Sequence, residues 1–473
     1  MTMTSPAFIQ HIQSQVDNDF DMEAFLAACD RPLRKSIRVN TLKISVEDFK
    51  TRAEQLDWQL TPIPWCNEGF WIVRSKEQED TQSLGNFVEH LQGLFYIQEA
   101  SSMLPPVALM SQCDEPHLLL DMAAAPGSKT TQLAAYMNNE GTLIANELSS
   151  SRLKALHANV QRCGVKNVCL THMDGSLLGD RLKETFSAIL LDAPCGGEGT
   201  LRKDPNALNN WSLQALEDIS EIQKKLISSA YEALAPGGTL IYSTCTLSRE
   251  ENQDVCDYLL EHYQDMTIQP LTNLFAGANE CTTPEGYLHV FPHIYDSEGF
   301  FVAAFRKQGE LSADQYQTPA PTKWPYTPIS RKNFQQVTEY YLKHFGIDFS
   351  DQKNHLWQKD KEVWLFPDAT TQIATPIKLN RSGFKLCELH KQQTRSSHDF
   401  AIVFGGHATS NVAELSAEDT REYLQGRNLE NALEQNGEVI VRYKDKPLGL
   451  VKAQKNNLKN NLLRSLVSHN PIA

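Results

Sequence analysis

The chain lacks any apolar run approaching the ~18 residues that a membrane span needs. Its start, MTMTSPAFIQHIQSQ, has neither the basic segment nor the apolar core of an export signal. Membrane insertion and secretion are not expected, and a cytoplasmic location is. Ten cysteines stand at 29, 66, 113, 163, 169, 195, 245, 256, 281 and 387, with no Cys-x-x-Cys pair among them. That spacing argues against a zinc site and against a redox motif, so no metal is expected, and in a reducing compartment the cysteines should be thiols. No repeat of solenoid period is visible. Positive charge is short: 44 Lys and Arg against 58 Asp and Glu give −14. Such a balance argues against non-specific nucleic-acid binding by the whole surface, while leaving local basic tracks open.

What is present is an ordinary globular composition, 41% hydrophobic and 22% charged, over 473 residues. That length suggests about two to four domains. Residues 1–30 carry five acids and no Lys or Arg, and their apolar spacing predicts an amphipathic helix ending before Pro32. Arg31, Arg34, Lys35 and Arg38 then reverse the charge, either as a solvated turn or as an RNA-facing edge. SIRVNT, a helix near 46–56 and GFWIV complete a small α/β unit, residues 1–92.

From His117 onward, strands and helices alternate. LLLDM, TLIANE, VCLTHMDG, SAILLDAP and TLIYSTCT read as strands separated by helices, the last helix stopped at APGG. GFFVAAFRK reads as a final strand near the sheet edge. This alternation predicts βαβ units and a doubly wound, Rossmann-like α/β core over 93–307. Pro319, Pro321, Pro325 and Pro328 mark a linker at 308–328. A small α/β region at 329–375 follows, with a helix near 331–345 and the strand EVWLF. The region 376–473 reads as short strands: FKLCEL, FAIVFG, EVIVRY and LGLVKAQ. Between Arg442 and Arg464 lie seven basic residues and one acid, a patch suited to nucleic acid.

In such sheets the ligand lies beyond the carboxyl ends of the strands, where Asp121, Glu147, Asp174 and Asp192 fall. Glu147 follows Gly127 at the offset from which an acid bonds a ribose. The loop AAAPGSK has a single glycine and no phosphate-loop spacing for Lys129, so a nucleoside without phosphates fits better than a dinucleotide. S-adenosylmethionine needs about these contacts. Strand ends also carry Cys195 and Cys245, which would meet at one rim. A thiolate adding to carbon 6 of a pyrimidine makes carbon 5 nucleophilic, a second group can remove the carbon 5 proton, and an acid can bond the ring. Cys195, Cys245 and Asp192 could fill these roles. Two buried apolar cysteines, or a redox disulfide between them, are the alternatives.

The strings DMAAAPGSKTTQLA, DAPCGGEGTLRKDP and YSTCTLSREENQDV, with Glu147 and Asp174 between them, resemble the Sun-type RNA cytosine 5-methyltransferases. The resemblance implies Cys245 as nucleophile and Cys195 as the residue that aids product release. It implies a cofactor site of Ala123, Ala124, Ala125, Pro126, Gly127, Ser128 and Lys129, with Glu147, Asp174 and Asp192 as further contacts. The whole chain is similar to the bacterial 16S rRNA branch of that family. This implies a C-terminal PUA-like RNA-binding domain and a decoding-region cytidine of 16S rRNA, met within the 30S subunit or a late assembly particle, by a monomeric enzyme. Methylation of tRNA or another RNA, or a non-catalytic RNA-binding assembly factor, are the competing readings.

Overall fold

The computed structural model describes residues 5–113, 116–311, 324–391, 393–430 and 436–473; most of the expected linker at 308–328 lies outside these. The N-terminal unit is an antiparallel sheet of β1 (Ser36–Val39), β2 (Gln59–Ile63), β3 (Cys66–Val73) and β4 (Phe95–Ile97), in the order β2-β3-β1-β4. Since β4 pairs with β1, this unit extends past the expected boundary at residue 92. Its helix, Val46–Gln55, starts where the Ser45 side chain accepts from the Asp48 amide. The cluster Arg31–Arg38 is not one RNA-facing edge. Arg38 is 2% exposed, and its guanidinium donates to the Ser128 carbonyl (2.7 Å), Thr131 Oγ1 (2.9 Å) and Gln132 Oε1 (3.2 Å). It ties the N-terminal sheet to the helix Ser128–Tyr136.

In the core, β5 (Leu118–Asp121), β6 (Thr142–Asn146), β7 (Val168–Thr171), β8 (Phe186–Asp192) and β9 (Leu234–Thr244) run parallel in the order β7-β6-β5-β8-β9. These strands are apolar on both faces, so the sheet must be covered on both sides by helices. One face packs on helices such as Leu104–Ser111 and Ser128–Tyr136, the other on Leu213–Ala233. The sequence APGG ends that last helix but forms no loop. Pro236 disfavours helix at Ala235, and the chain passes directly from the helix into β9. Beyond β9 come β10 (Met266–Ile268), β11 (Leu288–Val290) and β12 (Phe300–Lys307). β12 lies one place in from the edge, antiparallel to β9, with β10 and β11 paired to its other side.

The C-terminal half begins with β13 (Thr327–Pro328), β14 (Leu356–Lys359) and β15 (Glu362–Leu365), packed on the helix Arg331–Phe345. Next, β16 (Leu379–Ser382) leaves this unit and pairs antiparallel with β7, adding a strand to the core sheet. β17 (Phe384–His390) and β18 (Gln393–Ser396) then return, completing the sheet β13-β14-β15-β17-β18. The expected break at 375/376 therefore cuts through a sheet. FAIVFG is also not a strand: all but its glycine lies in the helix His398–Phe404, whose start is capped by the Ser397 hydroxyl accepting from the Phe400 amide. A short apolar run reads alike as buried strand or buried helix, and the cap decides it here. The last sheet is β19 (Val412–Glu414), β21 (Gly437–Tyr443), β22 (Lys446–Gln454), β23 (Asn457–Asn460) and β20 (Leu429–Glu430), in that order.

Candidate active site

The strand order reverses between β5 and β8, and ligands of such sheets bind outside the carboxyl ends at that point. Asp121 ends β5 and Asp192 ends β8. Between β5 and its helix, Ala124 N–H donates to the Asn146 carbonyl (2.8 Å) and Ala125 N–H to Glu147 Oε2 (3.2 Å). Gly127 turns the chain at φ +106°, where a Cβ would sit 2.9 Å from the Leu156 side chain. This holds Ala123 to Ser128 as a cradle against the helix Ser128–Tyr136. Glu147 is 3% exposed, and its other oxygen accepts from Ser149 N–H (2.8 Å). Asp174 is exposed and caps the short helix after β7 through Oδ1, which accepts from Ser176 N–H (2.9 Å) and Ser176 Oγ (2.8 Å). Its Oδ2 takes no part in that cap. Asp121 is fully buried; burial pushes its carboxyl up to about 7, against the hydrogen bond donated by Thr130 Oγ1.

Two apolar side chains missed in the sequence stand beside these acids. Leu148 is 65% exposed and Leu177 is 50% exposed. Each follows its acid closely, Glu147 and Asp174, so a flat aromatic ligand base would gain apolar cover there. A weak signal existed: a leucine shortly after each strand-end acid. The cradle, the two acids and the two leucines fit a nucleoside with a charged tail.

Lys129 belongs to a different part of the site from the rest of its loop. Its Nζ lies 2.7 Å from Asp192 Oδ2 and donates to Ser102 Oγ at 2.9 Å. Ser243 Oγ donates to Asp192 Oδ1 at 2.8 Å. Asp192 is thus a doubly engaged acceptor facing the rim. Beyond it, the loops after β8 and β9 bring the two cysteines together. The sulfurs of Cys195 and Cys245 are 2.9 Å apart as free thiols, and Cys245 N–H points to the Cys195 sulfur at 3.3 Å. The contact with Cys245 and burial raise the Cys195 thiol well above its ordinary range. Either sulfur can donate to the other across this contact.

Two buried glutamates not singled out in the sequence hold this pair. Glu198 accepts from Trp211 Nε1 (2.6 Å), Thr246 Oγ1 (2.8 Å), Leu247 N–H (3.0 Å), Ser248 N–H (2.9 Å) and Ser248 Oγ (2.7 Å). It fastens the Cys195 loop to the Cys245 loop. Glu251 accepts from Gly196 N–H and Gln223 Nε2, both at 2.8 Å, and from Thr246 Oγ1 at 3.2 Å. Burial raises its carboxyl to about 7. Gly199 N–H donates to the Cys245 carbonyl (3.0 Å), and a Cβ on Gly199 would fall 2.2 Å from the Gly299 carbonyl oxygen. The only hint in the sequence was an acid enclosed by glycines in PCGGEGT.

The C-terminal basic run divides. Arg442 is spent on the carbonyls of Gly405 and Ala408, and Lys444 approaches the buried Glu89 at 3.8 Å. Lys452, Lys455, Lys459 and Arg464 are exposed, and Lys452 lies directly opposite Lys459 across β22 and β23. Like charges facing each other in a sheet repel, which an anionic partner would relieve.

Comparison with known proteins gives one consistent picture. The family described as 16S rRNA methyltransferase RsmB/F matches residues 107–306. The N-terminal domain of 16S rRNA methyltransferase RsmF matches 5–100, the pre-PUA domain of ribosomal RNA small subunit methyltransferase F matches 326–404, and the RsmF PUA domain matches 410–468. Curated proteins named ribosomal RNA small subunit methyltransferase F are 48% identical to the chain in Aliivibrio fischeri, covering 98% of this chain and 97% of the relative, and in Shewanella oneidensis, covering 99% and 98%. Among solved structures, a methyltransferase homolog protein from Pyrococcus horikoshii is 34% identical, with TM-score 0.52, over 64% of this chain and 100% of that one.

Proposed function

Because the chain belongs to the ribosomal RNA small subunit methyltransferase F family, we propose that it methylates carbon 5 of a cytidine in the decoding region of 16S rRNA through a covalent adduct on Cys245. The observation that carries this reading is the Cys195–Cys245 pair beside the Asp192–Lys129 contact, all at the carboxyl ends of β8 and β9. When bound, S-adenosylmethionine supplies an electrophilic methyl group. Ala123–Ser128, Glu147 and Asp174 bind and orient it, flanked by Leu148 and Leu177.

Cytosine carbon 5 is too weak a nucleophile on its own. Cys245, as thiolate, adds to carbon 6, and the ring π electrons shift toward carbon 5, which then takes the methyl group. Asp192 accepts from the exocyclic amine of a base turned out of its stack, and Lys129 holds Asp192 in place. Transfer of the carbon 5 proton to a base, a role open to the Cys195 sulfur, re-forms the double bond and expels Cys245. Cys195, with its sulfur 2.9 Å from that leaving sulfur, is placed to assist this last step. A binding-only factor would have no use for such a pair.

The exposed Lys452, Lys455, Lys459 and Arg464 contact the RNA backbone, and the enzyme works as a cytoplasmic monomer on the 30S subunit or a late assembly particle. No helix among the described residues is long and apolar enough to cross a membrane. Transfer of tritium from labelled S-adenosylmethionine tests the reading, comparing free 16S rRNA with 30S particles and mapping the product. Label on a single decoding-region cytidine is expected. Label on tRNA alone, or on no RNA, would contradict the proposal.

A further inference from the structure

We infer that Glu298 is the acid that donates a proton to ring nitrogen N3 of the target cytosine as Cys245 adds to carbon 6. This inference rests on the reaction proposed above and assigns it a residue that neither the motifs nor Asp192 supplies.

Addition to carbon 6 moves one electron pair from the C5=C6 bond to C4–C5 and another from C4=N3 onto N3. N3 must take up a proton, so the step needs a donor. Asp192 is poorly suited, because both of its oxygens already accept, from Lys129 and from Ser243. An ion-paired carboxylate is an acceptor for the amine, not a proton source for N3.

Glu298 lies two residues before β12, whose first residues pair with the carboxyl end of β9, Phe301 opposite Thr244. Along β12, Phe300, Val302 and Ala304 pack with the cluster that contains Ala188 and Leu190 of β8 and against which Cys245 packs. Two-residue alternation puts Asp192 of β8 on that face as well. The ring of Phe300 lies 5.3 Å from Lys129 Nζ. Glu298 N–H donates to Glu99 Oε1 (3.0 Å), while Glu99 Oε2 accepts from the amide of Ser102 (3.1 Å), the residue whose hydroxyl binds Lys129. Gly299 N–H bonds the Gly199 carbonyl (2.9 Å), and Gly199 N–H bonds that of Cys245. Glu298 is therefore locked between the Lys129 cluster and the Cys245 loop.

Glu298 is 4% exposed, and its Oε1 is buried with no partner among the described residues. A buried polar atom left unpaired calls for an explanation, and a group of an arriving substrate is one. The groups facing it are Glu99 before the helix Leu104–Ser111, Lys129 at the start of the next helix, and Arg202 and Lys203 beyond the Cys195 loop. Burial and Glu99 raise its carboxyl above the usual carboxylate range, with the three cations opposing them. Burial and Glu99 both favour the neutral acid, and a carboxylic acid can give N3 its proton. After carbon 5 takes the methyl group, the C4=N3 bond re-forms and N3 returns the proton to Glu298. The net proton released is the one that leaves carbon 5.

The test measures adduct formation in the Cys195→Ala background with 16S rRNA, with and without Glu298→Gln, alongside calorimetry with S-adenosylhomocysteine. Cofactor affinity should be unchanged, and adduct formation should slow ~100-fold or more. In the otherwise native enzyme, the rate should fall on the alkaline side as Glu298 ionises. Glu298→Gln should abolish that alkaline fall, while Glu298→Asp should keep it and recover part of the rate. Equal trapping rates with and without Glu298→Gln, or Glu298→Gln and Glu298→Asp variants that behave alike, would overturn the inference and leave a packing residue. Absence of trapping by Cys195→Ala alone would instead bring down the adduct reading on which the inference rests.

Discussion

The two halves of the sheet rim are built on opposite principles. After β8 and β9 the loops are fastened by buried carboxylates, Glu198 with five donors and Glu251 with three. After β5, β6 and β7 the acids are left with acceptor capacity to spare, and the leucines beside them are exposed. The first half is fixed before any ligand arrives, as covalent chemistry between two sulfurs and a ring demands. The second half is completed by its ligand. Changes at β8–β9 should therefore damage the rate and the fold together, whereas changes at β5–β7 should damage cofactor affinity alone.

The largest expected effect lies in the fixed half. Glu198→Ala would strand several buried donors at once, at ~1–3 kcal/mol for each group left unpaired and not additive. The melting temperature should fall, and methyl transfer should collapse even where the protein remains folded. Unaltered melting and activity would mean that Glu198 does not fasten the two loops. In the open half, Glu147→Ala should weaken S-adenosylhomocysteine by ~1–3 kcal/mol in calorimetry. A fall in melting temperature as deep as that of Glu198→Ala would erase the distinction.

A smaller effect comes from pH. Glu251 is raised in the folded state to about 7, above its unfolded value, so folding takes up a proton between those values. Its contribution is largest at low pH and is lost as pH rises toward about 7. Glu251→Gln should flatten that part of a denaturant-melting series against pH, and an unchanged slope would contradict the assignment. Smallest of all, Lys452→Gln and Lys459→Gln should each lower the salt slope of RNA binding by about 1 and leave cofactor binding intact. Point changes suit this question better than truncation after residue 375, because β16 is a strand of the core sheet.

Much of the core was legible in the sequence because parallel strands buried on both faces announce themselves as apolar runs. Each ends at the residue where ligands collect. The misread elements share a cause. FAIVFG carries no period, so only the Ser397 cap tells helix from strand. Arg38 and Arg442 look like surface charge until the fold surrounds them with carbonyls and side chains. Glu198, Glu251 and Glu298 escaped for the same reason, since an acid in a sequence reads as solvated and its burial depends on partners distant in the chain. β16 escaped because a strand that leaves its own unit to join another sheet has no local signature.

The central claim is that Cys245 attacks and Cys195 acts only afterwards. Its most direct test is denaturing electrophoresis of Cys195→Ala, Cys245→Ala and the double variant with labelled 16S rRNA and S-adenosylmethionine. A protein–RNA band that survives denaturation is expected for Cys195→Ala, and none for either protein lacking Cys245. A band from Cys245→Ala and none from Cys195→Ala would reverse the two roles and contradict that claim.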